Sequence, residues 1–197
     1  MKKELINKLK KIGGLSRSES CIESVNEIKL SLTELENLFR CQIPQSYKDF
    51  YYHFGAGNFN NRVTVKCLDS GVIMLPGQRL NVGSFYCVSG LKDFSILSVL
   101  STYEEQLSPG LMPICDGELG DVICLSLRDG EIGHLYYFHH ESPPGADLYL
   151  ISRNFDDFIM SLDEAQVDYD QKEIDSIKMD LTPEFIELLK KSGFGPK

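Results

Sequence analysis

The segment Ile43–Phe59, IPQSYKDFYYHFGAGNF, constrains the fold of this chain more than any other. Tyr47, Phe50, Tyr51 and Phe54 recur at i, i+3, i+4 and i+7, so one stripe of a helix carries four aromatic rings. Pro44 suits the first turn, where its missing N–H costs nothing. Gly55 stands where a left-handed C-terminal residue is wanted, and Gly57 follows. Rings on a single face need a sheet or another helix to cover them, so the chain folds around this docking event. The stripe dictates a docking helix and says nothing of function.

The flanking pattern supplies partners for it. Lys2–Ile12 predicts a short amphipathic helix with Leu5, Ile6, Leu9 and Ile12 on one face, ended by Gly13-Gly14. Its lysines suit either an anionic membrane surface or an outward face above packed leucines. Ser16–Lys29 reads as a loop leading to a short edge strand. Ser31–Arg40 reads as a helix: Ser31-Leu-Thr-Glu34 matches a capping box, with Leu30 and Leu35 spaced for a hydrophobic staple. An αα-hairpin with the aromatic helix follows.

From Arg62 the period changes to two. Val63, Val65 and Cys67 alternate with polar residues, Asp69-Ser-Gly71 marks a turn, and Val72–Leu75 is the expected hairpin partner. A short strand is expected near Phe85–Val88 and a helix over Ser95–Leu107, stopped by Pro109-Gly110. Asp121–Leu127 and Ile132–His139 flank Arg128-Asp-Gly130-Glu131, a strong hairpin signal. Leu148–Ile151 is a last strand. Asn154–Leu162 is a helix with Phe155, Phe158, Ile159 and Leu162 inward and Asn154 or Ser152 as its cap. Asp163–Asp180 is weakly periodic, fitting a surface helix or a mobile segment, and Thr182-Pro-Glu184 opens a final helix. Hairpins interspersed with helices give an α+β class.

Charge placement excludes one class of partner. The formal net charge is −9, and Asp156–Glu187 alone holds eleven acids against two lysines. Nucleic-acid binding requires the opposite sign, whereas an acidic segment suits either a basic protein partner or a solvated face. The apolar runs are too short to span a membrane, and Glu4 and the early lysines break any apolar leader, which implies a cytoplasmic protein. Cys21, Cys41, Cys67, Cys87, Cys115 and Cys124 contain no CxxC pair, so they read as free thiols and not as a zinc site or disulfide framework.

No catalytic or cofactor motif is complete. Gly55-Ala-Gly57 lacks the third glycine of a dinucleotide fingerprint and ends a helix where the fingerprint opens one. Asp116-Gly-Glu118-Leu-Gly120-Asp121 resembles a cation loop, but its fifth and twelfth positions hold Gly120 and Leu127, so a glycine turn explains it. His139 and His140, in one strand, would face opposite sides and could not share an ion. No Gly-x-Ser-x-Gly elbow is present. The expectation is a non-enzyme without metal or cofactor.

Three stretches together resemble the SUKH superfamily, the SMI/KNR-type domain. Ile43-Pro44 with Tyr47 and Phe50, preceded by Glu36, is similar to its first motif. Leu111–Leu127, LMPICDGELGDVICLSL, is similar to its central motif, and Ser152–Leu162 with Phe155-Asp-Asp-Phe158 to its final helix. The run Gly55-Ala-Gly57 departs from the paired glycines often found after the first helix. The resemblance covers Leu32–Asp163 and implies an α+β domain with a mixed or antiparallel sheet and helices packed around it.

This divides the chain into an N-terminal extension (1–30), the SUKH-like domain (31–163) and an acidic extension (164–197). By the same resemblance the expected function is that of a bacterial immunity protein, binding and neutralising a cognate toxin such as a nuclease. The alternative is an interaction module like the related yeast cell-wall synthesis regulator. Candidate partner-binding residues are Asp168, Asp170, Glu173, Asp175, Asp116 and Glu118. Neither nucleic acid nor membrane is an expected partner, and the sequence leaves the oligomeric state open.

Overall fold

The computed structural model describes residues 2–19, 21–68, 79–90, 94–143 and 145–165. The chain divides into two units, Met1–Ala165 and Gln166–Lys197, and all described residues lie in the first. Among the described residues five helices accompany antiparallel sheets, so the class is α+β as expected.

The α1 helix (Lys3–Lys11) buries Leu5 and Leu9, with Ile12 beyond it, and lies against α5 (Phe155–Ser161). Lys2 and Asp156 are 2.7 Å apart across this contact. The apolar face of α1 is thus used inside the fold. After Gly13-Gly14, β1 (Leu15–Arg17) pairs with β2 (Gly57–Phe59).

The second helix begins earlier than its sequence suggested. The α2 helix runs Val25–Phe39, and the working capping box is Ser24…Glu27. Ser24 Oγ accepts from Glu27 N at 3.3 Å, and Glu27 Oε2 accepts from Ser24 N at 2.7 Å. Ser31 is an interior residue. Ile28 continues the buried stripe of Leu32 and Leu35 one turn back, so the helix gains a turn of core contact by starting at Ser24. Leu30 is exposed, and the expected staple with Leu35 does not form.

The α3 helix (Gln45–Phe54) follows, with Pro44 as its N-cap and Gly55 as its C-cap at φ +70. Tyr47, Phe50 and Tyr51 are fully buried. Phe155 receives Tyr47 edge-on at 5.3 Å and Phe50 at 5.2 Å, and Phe50 also meets Phe85 at 4.6 Å. The aromatic stripe is therefore covered by α5 on one side and the sheet on the other, burying the largest side chains of the core.

The main sheet is β5 (Leu111–Asp116), β6 (Val122–Ser126), β7 (Leu135–Phe138) and β8 (Leu148–Ser152), antiparallel in that order. Pro113 sits beside a register shift in β5, a tolerated place for a residue that cannot donate to the ladder. Phe85 bridges Gly57 and Cys115, joining the β1–β2 pair to this sheet. In a second sheet β3 (Val63–Lys66) lies between β4 (Arg79–Val82) and β9 (Asp163–Glu164). The partner of β3 expected at Val72–Leu75 lies outside the described residues, and β4 was not anticipated. The α4 helix (Ile96–Thr102) is shorter than expected, because Tyr103 to Leu107 continue only as turns.

One expectation is overturned. Cys21 and Cys87 form a disulfide, with Cα atoms 6.1 Å apart and a sequence separation of 66. No local motif announces a pair so distant in sequence. Beside it, buried Glu23 accepts hydrogen bonds from Tyr51 Oη at 2.6 Å and Ser89 N at 2.9 Å, holding the segment before α2 against residues 87–89. Cys67, Cys115 and Cys124 are buried thiols and Cys41 is half-buried.

Candidate protein interface

The β5–β6 connection and the β7–β8 connection emerge at the same end of the main sheet, since Val122 at the start of β6 pairs with Phe138 at the end of β7. This end gathers the chemistry-bearing residues of the central sequence motif. Asp116, Gly117, Glu118, Leu119, Gly120 and Asp121 form a tight turn, closed by Gly117 N to Asp121 O at 2.8 Å and Asp121 N to Glu118 O at 2.9 Å. Gly120 takes φ +100. At Gly117 a Cβ would lie 2.8 Å from the Tyr137 ring, so only glycine passes there.

Each polar group of the turn is tied inward. Asp116 Oδ1 accepts from Ser84 N. Burial raises the Asp116 carboxyl above its ordinary range, with the Ser84 amide opposing. Glu118 N donates to Tyr137 Oη at 3.1 Å, and Tyr103 Oη donates to Gly120 O. The Glu118 carboxylate faces Arg62 Nη2 at 3.4 Å and Asn81 Nδ2. Its side chain stays 35% exposed.

Asp121 is buried and accepts from His140 N at 3.1 Å, with His140 Nδ1 at 2.8 Å from the same oxygen. An ionised carboxylate only accepts, so Nδ1 of that ring carries the proton. His139 turns to Ser142 Oγ, at 2.9 Å. The expected division of the two histidines between strand faces does not arise, because β7 ends at Phe138; their rings lie 6.2 Å apart, each with its own partner. Among the described residues no group of three His, Cys, Asp or Glu could hold a metal ion. No helix among them is long and apolar enough to cross a membrane.

Of the candidate contact residues, Asp116 and Glu118 are therefore neighbours in one turn, the first mainly a backbone anchor and the second partly open to solvent. Asp168, Asp170, Glu173 and Asp175 lie outside the described residues. Sequence reasoning passed over Leu119, which follows Glu118 and is 93% exposed at φ +52. Its signal was the lone apolar residue in a turn otherwise made of Asp, Glu and Gly.

Apart from the turn, a concavity of about 650 Å³ lies between Leu38 and Phe39 of α2, Leu100 and Glu104 at α4, and Leu107 and Leu111. It has apolar walls and one lining carboxylate. It shares no residue with the turn.

Comparison with known proteins agrees with this architecture. A protein from Bacillus subtilis (strain 168), described as "SPbeta prophage-derived uncharacterized protein YokK", is 26% identical over 152 residues, covering 72% of this chain and 78% of that protein. The model of the SMI1 / KNR4 family (SUKH-1) matches residues 29–161, from within α2 to the end of α5 and so across the aromatic helix, the main sheet and the β5–β6 turn. The chain belongs to the SMI1 / KNR4 (SUKH-1) family.

Proposed function

We propose that this chain is an immunity protein, a non-catalytic binder that neutralises a cognate bacterial toxin by occupying its surface. The observation that carries this reading is membership of a family associated with toxin immunity proteins. A relative described as prophage-derived, from Bacillus subtilis, supports a bacterial setting for that role. The site chemistry is compatible: the carboxylates of the β5–β6 turn are engaged in shaping it, and Glu118 offers charge at its rim.

The toxin fitting the net charge of −9 presents a basic surface, as a nuclease does. Recovering the partner tests the reading. A tagged chain in its own host retains one protein stoichiometrically at moderate salt, the toxic domain of a larger exported protein. Recovery of ordinary cellular proteins alone favours a scaffolding role instead. Neutralising Asp168, Asp170, Glu173 and Asp175 together slows association and flattens its salt dependence; unchanged rates would remove those residues from the encounter.

A further inference from the structure

Residues 103–110 join α4 to β5 as a run of turns, and the run is held from several sides. Gln106 N and Leu107 N both donate to Tyr103 O. Tyr103 Oη donates to Gly120 O, and its ring meets Phe138 edge-on at 5.8 Å. Gly110, at φ +80, accepts from Leu127 N, and a Cβ there would lie 2.8 Å from Arg128 Cγ. Arg128 Nε donates to Pro109 O at 3.0 Å. A connection fixed in this way preforms the concavity of about 650 Å³ beside α2, within the roughly 300–1,000 Å³ of binding clefts. Its apolar lining is graded: Leu111 is buried, Phe39, Leu100 and Leu107 are half-buried, and Leu38 is 59% exposed. A preformed apolar groove receives a side chain with little loss of its own freedom.

The charge around the groove specifies the chemistry of its occupant. Glu104 lines it, Glu105 follows in the same turn, and Glu34 sits one turn before Leu38 on the same face of α2. All three are exposed, and none has an ion-pair partner among the described residues. The α2 helix, 15 residues long, ends at the groove, and its negative pole has no basic residue in the last turn. Leu38 and Phe39 stand where a lysine would stabilise that end. No lysine, arginine or histidine lines the groove. On the other side of the balance are Arg40, the C-cap of α2, and Arg128, which is engaged with Pro109 O and lies 4.0 Å from Glu131. The apolar groove thus carries unpaired negative charge on both walls.

We infer that this groove docks a basic amphipathic segment of the protein partner. An apolar side chain of that segment seats between Leu38 and Leu100, and a flanking lysine or arginine lies against Glu104. This inference rests on the immunity reading and names the surface through which it operates.

The test uses the full-length chain and, as probe, the purified protein that the wild type retains stoichiometrically. Leu38→Lys replaces an exposed side chain and puts a cation in the last turn of α2, so its melting temperature stays at or above that of the wild type. Its dissociation constant rises about 10-fold or more, as for the loss of an interface anchor. Glu104→Lys weakens binding by about 10-fold at low salt, and the loss shrinks as salt is raised. Leu119→Asn, a control on the β5–β6 turn whose new residue suits φ +52, binds as the wild type does. Wild-type affinity in either groove variant overturns the groove and leaves the immunity reading standing. Weakening by Leu119→Asn as large as that by Leu38→Lys also overturns it. If the wild type retains no stoichiometric partner, the immunity reading fails and the groove fails with it.

Discussion

Tyr47 and Tyr51 lie one turn apart on α3, both with no exposed surface, and their hydroxyls have opposite fates. Tyr51 Oη donates to Glu23 Oε2 at 2.6 Å and accepts from Val88 N at 2.9 Å. Tyr47 Oη has no hydrogen-bond partner among the described residues. Replacing each by phenylalanine removes the same oxygen and keeps the ring. In Tyr51→Phe a buried carboxylate loses a charge-assisted bond and the Val88 amide is stranded, together costing about 3–5 kcal/mol. In Tyr47→Phe no bond is lost, and the desolvation penalty of a buried hydroxyl, about 1–3 kcal/mol, is relieved. The small void left behind offsets part of that gain, so Tyr47→Phe should be neutral or up to about 2 kcal/mol more stable. Edge-on contact with Phe155 at 5.3 Å survives in both directions of the comparison. Urea unfolding followed by circular dichroism resolves the two, since they differ by several kcal/mol on a total of about 5–15. Equal destabilisation by both substitutions would refute the assignment of these hydroxyls, and so would a neutral Tyr51→Phe.

Three further outcomes follow from the same geometry. Glu36 Oε1 accepts from Ile43 N at 3.0 Å and Lys48 Nζ at 2.9 Å, so Glu36→Ala should cost about 2–3 kcal/mol in urea unfolding, while Glu36→Gln keeps the amide bond and costs less. Burial raises the Asp116 carboxyl above 3.8, so the folded chain binds its proton more tightly than the unfolded one, and the stability this gives is lost as pH rises through that range. Asp116→Asn, still able to accept from Ser84 N, should therefore melt higher than wild type at pH 7, with the difference closing below pH 3.8; a constant difference across pH would contradict it. Thiol titration of the unreduced protein in denaturant should find four of the six cysteines, and six would remove the Cys21–Cys87 bond from the account. Closing a ring across that separation of 66 residues is worth about 4 kcal/mol, so reduction should lower the urea midpoint.

Much of this fold was legible because its signals are local. The aromatic spacing identified α3 and its buried face, Asp129-Gly130 marked the β6–β7 hairpin, and Asn154 with its phenylalanines marked α5, whose N-cap accepts from Asp157 N at 2.8 Å. Where two local signals competed, the sequence misled: Ser24 and Ser31 both precede a glutamate by three residues, and the deciding factor was burial of Ile28. Pairings between distant segments left no local trace. The Cys21–Cys87 bond, the Glu23–Tyr51 contact, the Asp121–His140 pair and the bridges of Phe85 each depend on distant segments meeting across the fold. The site was half legible. Its glycines and acids declared a turn, but only the folded chain shows that Asp116 faces the backbone and Leu119 faces water.

The central claim, neutralisation by binding without catalysis, is tested most directly by titrating the partner toxin's activity with purified chain. The account predicts a linear fall that reaches zero at one equivalent and recovers when the complex is dissociated. Full inactivation at a small fraction of one equivalent would reveal a catalyst, and activity unchanged in excess chain would show that this protein does not neutralise that toxin.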